Sequence, residues 1–392
     1  MKHFTIAALT LATSMGATHA QAEVRFNGFA SIVAGMNVED KKFRNSPYDE
    51  DLSFKPESKF ALQATADLGN GLSAIAQVIA RGEENFDAEF EWAYLKYEFS
   101  EHHSLRAGRL RLPFYKYSDY LDVGYAYPWL RTPKAMYRLL FSTYDGISLI
   151  SQFTLGEIDV TSNFLFGSTT DTFFSTTAPV DGTLKNWRAV NVQLSKDWWN
   201  AYIAYFGTEV DIPHAATEAA AGNLEASAIA IDASYVGVGN NIKLDEDYGD
   251  FFGLGFTLEP GNWFVGAEWS TISIEDTLYL DSSQWYLSVG HRFDSLMPYI
   301  TYQQTDTDRN TSTAQLFPAP VQATVQTIYD GLQFEYKAVT LGLRYDFHPR
   351  ATLKIEYNMF HDIIDLNQAT RLGTATSPED LDMLAVGVDL LF

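Results

Sequence analysis

The side chains able to do covalent or acid–base chemistry are few and poorly placed. There is no cysteine, which removes thiol nucleophiles, disulfides and cysteine metal sites, and the eight histidines are the main groups that titrate near neutrality. A serine mechanism needs Ser, His and an orienting group together. The best candidate base, His291, alternates onto the face of Val289 and Phe293 as an interfacial residue would, and His102 and His103 share a short turn. The sequence contains no G-x-S-x-G, H-E-x-x-H or G-x-x-x-x-G-K-[ST]. Asp306, Asp308 and Asn310 reproduce the start of a calcium loop, but Thr311 stands where the sharp turn needs glycine. No metal, no cofactor and no enzymatic activity are therefore expected.

The remaining chemistry is charge, and its use depends on the elements that carry it. Lys2, the apolar stretch Phe4 to Met15 and Ala20-Gln21-Ala22 read as a signal peptide over 1–22, with the mature chain starting at Glu23. Net charge is −23; without Lys2 the mature chain has 26 basic residues against 50 acidic ones, or −24. Nucleic acid is disfavoured as a partner, because phosphate binding needs a cationic surface. Nothing offers the roughly 20 apolar residues of a spanning helix. Aromatic content is 15 % and mean hydropathy is −0.14. Such a mean fits a membrane protein only when apolar and polar residues alternate across a strand wall.

That alternation runs from end to end. Leu384, Val386, Val388, Leu390 and Phe392 share one face of the last segment, and Leu353, Ile355, Tyr357 and Met359 alternate with Lys354, Glu356 and Asn358. Sixteen such segments are predicted, at 24–38, 57–68, 71–82, 87–99, 104–111, 143–153, 157–167, 185–196, 199–208, 248–258, 262–274, 280–293, 297–308, 332–346, 350–362 and 381–392. Short connectors alternate with long polar ones, the layout of an all-β, transmembrane antiparallel barrel with short periplasmic turns and long extracellular loops. Phe99, Trp198, Trp199, Trp263, Phe293, Phe347 and Phe392 sit beside the short turns, as an interfacial aromatic belt requires. The stretch Thr208 to Asp247 is a large loop or hides two further strands, so the count is sixteen or eighteen. A charge on the lipid face costs about 2–4 kcal/mol near the midplane, which assigns Lys59, Arg292, Arg344, Lys354 and Glu356 to the lumen.

With the signal peptide, the N-terminal strand Val24-Arg25-Phe26-Asn27-Gly28-Phe29, the fifth strand running into Gly108-Arg109-Leu110-Arg111 and the terminal Phe392, the chain resembles the general porin family of Gram-negative outer membranes over essentially all of its mature length, 23–392. The resemblance implies a sixteen-stranded barrel, a homotrimer, passage of small hydrophilic solutes and ions, and Phe392 as part of the signal read by the barrel-assembly machinery. It also implies that the third long connector, about 112–142, folds into the barrel and narrows it. On that reading Arg109, Arg111, Lys116, Asp119, Asp122, Arg131, Lys134 and Arg138 make the pore constriction, where opposed charges orient polar solutes. The connector departs from the family's pattern in its aromatics: Tyr115, Tyr117, Tyr120, Tyr125, Tyr127 and Pro128-Trp129.

Membrane lipids are expected partners, and so is lipopolysaccharide. The external clusters Asp49, Glu50, Asp51 and Asp245, Glu246, Asp247, Asp250 could share divalent cations with its phosphates. Passive diffusion is the leading expectation, with a substrate-selective channel or a plugged structural or adhesin barrel as alternatives. The total charge leans toward cations, but selectivity follows the constriction.

Overall fold

The computed structural model describes residues 23–41, 43, 45–137, 141–174, 179–277, 279–308, 312–365 and 380–392. The signal segment 1–22 and Arg138 lie outside them. Sixteen antiparallel strands form one closed barrel: β1 (Glu23–Asn37), β2 (Lys59–Gly69), β3 (Leu72–Arg81), β4 (Ala88–Glu98), β5 (His103–Arg111), β6 (Thr143–Leu155), β7 (Ile158–Phe174), β8 (Pro179–Lys196), β9 (Trp199–Asp211), β10 (Asp245–Leu258), β11 (Trp263–Ile274), β12 (Asp281–His291), β13 (Leu296–Asp308), β14 (Phe334–His348), β15 (Ala351–Asp365) and β16 (Leu381–Leu391). Each pairs with its neighbours in sequence, and β1 pairs with β16 from Phe29↔Leu391 to Asn37↔Met383. Gly28 and Phe392 exchange two further backbone hydrogen bonds, of 2.8 and 3.0 Å. Closure leaves no sheet edge whose N–H and C=O groups would be unpaired in hydrocarbon. Gly28 is required at this seam, since a Cβ there would lie 2.2 Å from the Phe392 ring.

Alternation sorts the two faces. Leu62, Ile147, Leu149, Phe164, Phe166, Ile203, Leu254, Phe256, Leu341, Leu343, Ile355, Leu384 and Val386 are exposed on the outside, while Thr301, Thr340, Lys354, Glu356 and Asn358 are buried inside. No helix among the described residues is long and apolar enough to cross a membrane; the strands do so.

The sequence-based boundaries differ mainly at β7 and β8, expected over 157–167 and 185–196. Both run longer because this hairpin continues past the apolar band as Ser168-Thr169-Thr170-Asp171-Thr172, where backbone pairing alone is required and the two-faced pattern lapses. The ambiguous stretch after β9 holds no extra strand pair. It forms helix α1 (Ala215–Ile229), which lacks an apolar stripe because alanine, the strongest helix former, fills most of its faces. Between β13 and β14 lie α2 (Ser312–Gln315) and α3 (Ala319–Leu332). Val321, Val325 and Tyr329 recur every four residues on α3 and pack with Ala221, Leu224 and Ala228 of α1 and with Val238 and Ile242. Tyr329 donates to the Thr277 carbonyl at 3.0 Å, so three loops form one small external cap.

Candidate functional site

The 112–142 connector between β5 and β6 enters the barrel and stays there. Its neck is closed by the Leu112 amide donating to the Ser142 carbonyl at 2.8 Å. Phe114 then packs against Phe206, Phe251 and Trp187 of the wall, with ring centroids 4.4, 5.0 and 5.7 Å away. Trp129 is 1 % exposed, packs edge-on against Tyr117 and Tyr286, and shares its indole N–H between Ser288 Oγ and Thr301 Oγ1, both at 3.0 Å. The unusual aromatic content of this connector is thus a hydrophobic core inside the barrel. It supplies the apolar burial that a loop ordinarily lacks.

Buried wall charges hold the loop by its backbone. Lys354 of β15, fully enclosed, donates to the carbonyls of Gly124, Tyr127 and Trp129 at 2.5, 2.9 and 2.6 Å and pairs with Asp389 of β16 at 2.9 Å. Arg344 of β14 donates to the carbonyls of Tyr125 and Tyr127 at 3.0 and 2.8 Å. Glu356 accepts from the Leu130 amide at 2.9 Å and the Tyr299 hydroxyl at 2.7 Å, and Glu268 accepts from the Lys116 amide at 3.0 Å, from Tyr286 at 2.8 Å and from Tyr137. A buried charge without partners costs several kcal/mol, and the loop's backbone groups supply partners in place of the lumen water it displaces.

On the opposite wall one side chain of the loop makes the ion pairs. Asp122 meets Lys59 of β2 at 3.3 Å, Arg81 of β3 at 3.0 Å and Arg111, the last residue of β5, at 2.8 Å. Glu91 of β4 completes the cluster, 2.5 Å from Arg81 and 3.3 Å from Arg111. Burial disfavours the Asp122 charge, but Lys59, Arg111 and Arg81 outweigh it and hold this carboxyl well below the ordinary aspartate range.

Of the residues expected at the constriction, Arg111 and Asp122 come together with Lys59. Arg131 sits between Glu57 at 3.0 Å and Glu356 at 3.4 Å, which joins the first long connector to the third. Lys116 lies 4.4 Å over the Tyr117 ring, Lys134 is half-buried in the loop, and Asp119 is exposed. Arg292 reaches Asp346 at 2.8 Å, beside Arg344. The expectation for Arg109 is corrected: it shares the outer face with Leu105 and Ala107 and pairs with Asp145 at 3.1 Å, on the face of Ile147 and Leu149. Its neighbour Arg106 has the inward parity and lies 5.7 Å over the Tyr94 ring. Arg111 turns inward because the chain leaves the strand there for the lumen. Arg106 was legible from the apolar parity of Leu105; Glu91 was not, because a register shift between Gln77 and Val78 breaks the period on β4.

A closed barrel with an oily outer wall, a polar inner one and an inward-folded loop is the architecture of an outer-membrane channel. Residues 5–362 match the family described as Gram-negative porin, and the chain belongs to that family. Solved structures share the fold at low identity. Salmonella typhi OmpF, in complex with daunomycin, is 14 % identical with a TM-score of 0.58, covering 95 % of this chain and 98 % of its own. An anion-selective porin from Comamonas acidovorans is 13 % identical at 0.57, covering 95 % and 100 %. The outer membrane channel DcaP of Acinetobacter baumannii is 11 % identical at 0.57, covering 96 % and 99 %. No curated protein sequence matches. The protein is a porin of the Gram-negative outer membrane, a channel for passive diffusion.

Proposed function

We propose that the aqueous route for small hydrophilic solutes and ions is narrowed by the 112–142 connector, with Arg111, Asp122 and Lys59 at its tightest side and Arg106, Lys116, Asp119 and Lys134 as the charges solutes meet. The observation that carries this is the connector's packing inside the barrel, pinned to β14–β16 by its backbone and to β2–β5 by Asp122. Single-channel conductance in planar bilayers, with reversal potentials in a salt gradient, tests it. A stable ohmic step whose ion preference shifts with Asp119→Asn or Arg106→Gln supports the assignment, whereas preference unmoved by both substitutions removes it.

The mature channel begins near Glu23 after cleavage of the signal segment and assembles as a homotrimer. Cross-strand pairs of small residues on the outer face of β2 and β3, Ala64↔Ala76 and Ala66↔Ala74, support close approach between subunits there. Phe392, stacked at 5.4 Å on Phe60 beside the seam, serves as the assembly signal. The outer acidic clusters share divalent cations with lipopolysaccharide. No catalysis is proposed: His103 Nδ1 lies 2.8 Å from Ser151 Oγ, but among the described residues no carboxylate is hydrogen-bonded to this histidine, and His291 packs between Trp263 and Phe293.

A further inference from the structure

The inward-folded chain covers the barrel wall unevenly. The first long connector also turns into the lumen, where Phe43 and Tyr48 are buried with Tyr336, Phe360, Leu381 and Met383 of β14–β16. The third connector continues along that wall as far as a short turn, the Tyr125 hydroxyl donating to the Pro349 carbonyl at 2.9 Å. Val123 packs on Phe29, Ala61 and Ile79, and Leu130 on Val33 and Ala385, so β1–β3 are covered as well. On β7–β9 the aromatic core sits mainly toward the external ends, at Leu165, Trp187 and Phe206. Nearer the short turns the inward residues Thr161, Asn163, Gln193 and Asn200 are half-buried rather than enclosed.

This stretch of wall carries four carboxamides in one strip. Asn163 of β7 stands directly across the ladder from Asn191 of β8, and Gln193 is the next inward residue along β8. Gln193 in turn pairs with Tyr202 of β9, which places Asn200 diagonally beside it. The other inward residues among them, Thr161, Ser195 and Tyr202, carry no charge. Part of the strip's hydrogen-bonding capacity is unused. Ser148 Oγ donates to Asn163 Oδ1 at 2.6 Å, but Asn191 Nδ2 and Asn200 Oδ1 are buried without a hydrogen-bond partner among the described residues. Asn191 as a whole is only 7 % exposed, and an unpaired amide atom at such a position is costly. Thr257, opposite Asn200 on β10, lies 3.3 Å from the Tyr117 hydroxyl, and Tyr117 meets the half-buried Tyr120 ring edge-on at 5.6 Å. The connector thus brings an aromatic ring alongside the lower end of the strip.

We infer that Asn163, Asn191, Gln193 and Asn200 form a binding subsite for uncharged polyhydroxy solutes, the class of sugars and polyols. The proposal deepens the channel reading above and rests on it. A carboxamide both donates and accepts, so neighbouring carboxamides match the adjacent hydroxyls of such a solute, each of which also does both. A hydroxyl supplies the partner that Asn191 Nδ2 and Asn200 Oδ1 lack, and the Tyr120 ring offers an apolar surface to the solute's C–H groups. An ion gives up more hydration at this neutral wall than the wall returns, so ions follow the charged groups elsewhere in the lumen. Each bond formed replaces one to water, so binding is weak and exchange is fast, which suits transit better than capture.

The test is block of potassium chloride current by sucrose in planar bilayers, with a short polyethylene glycol of matching hydrodynamic size as the sieving control. The intact channel should show a saturable block by sucrose that exceeds the reduction by the glycol. Asn191→Leu combined with Gln193→Leu keeps the side-chain volume and removes the carboxamides, and should raise the half-blocking sucrose concentration about fivefold or more. Gln193→Asn, which keeps the carboxamide, should retain the block. Folding is checked by retention of the compact, heat-modifiable band on gels. Should the double variant not fold, Gln193→Leu alone, at a half-buried position, reads the same strip and should raise the half-blocking concentration about twofold or more. A sucrose block no larger than the glycol's in the intact channel overturns the proposal, as does an unchanged half-blocking concentration in the folded leucine variants. Absence of any chloride step in the intact protein would instead overturn the channel reading.

Discussion

The connector inside the barrel is attached on two sides by opposite means. Toward β14–β16 it is gripped by its backbone: Lys354, Arg344 and Glu356 bind carbonyls and an amide that any residue would present. Toward β2–β5 it is held by the Asp122 side chain, whose ion pairs need a carboxylate, together with Val123 packed on Phe29, Ala61 and Ile79. The first attachment fixes where the connector runs whatever its side chains. The second makes the ion pairs at one edge of the passage depend on a single carboxylate. A rigid frame with one adjustable edge follows from that difference.

Breaking the backbone grip should have the largest effect. Lys354→Met leaves three carbonyls and buried Asp389 without their cation, a loss of about 3–5 kcal/mol for a buried pair with one partner removed. Limited proteolysis should then cut within 112–142 in the folded barrel, and single-channel current should become noisy; a protected connector would show that the grip is dispensable. Trp129→Ala, which empties the centre of the interior core, should cost a similar or slightly smaller amount, about 3–5 kcal/mol, read as a lower unfolding temperature in detergent.

The side-chain attachment is sharpened by pH. The Asp122 carboxyl has its folded pKa depressed, so its contribution is full above the ordinary aspartate value of 3.8 and is lost only as pH falls through the lower folded value. Conductance should therefore be unaffected by this group between neutrality and about pH 4 and should rise only in stronger acid, a rise that Asp122→Asn lacks. A transition centred near pH 5 that disappears in Asp122→Asn would contradict the depressed value. The smallest effect belongs to the outer pair: Arg109→Gln breaks a half-exposed bridge to Asp145 worth at most about 1 kcal/mol and should leave conductance and ion preference untouched.

Much of the barrel was legible because a two-residue period is a local property. Strand boundaries such as 143, 199 and 381 needed only neighbouring residues, and the inward placement of Lys59, Lys354 and Glu356 followed from the cost of charge in lipid. What those charges do was not legible, since Lys354 and the Trp129 carbonyl it binds are 225 residues apart. Arg109 shows a different limit. A family motif placed it in the passage, yet the apolar parity of Leu105 and Ala107 in the same strand pointed it outward, and the local rule prevailed. Helix α1 escaped because its alanines carry no periodic apolar stripe.

The external cap has an immunological consequence. Because α1, α3 and Thr277 share one small core, the surface they present is assembled from loops far apart in the chain. An antibody against that surface reads a conformational epitope, so antisera raised on linear peptides from either loop would recognise denatured protein better than intact cells.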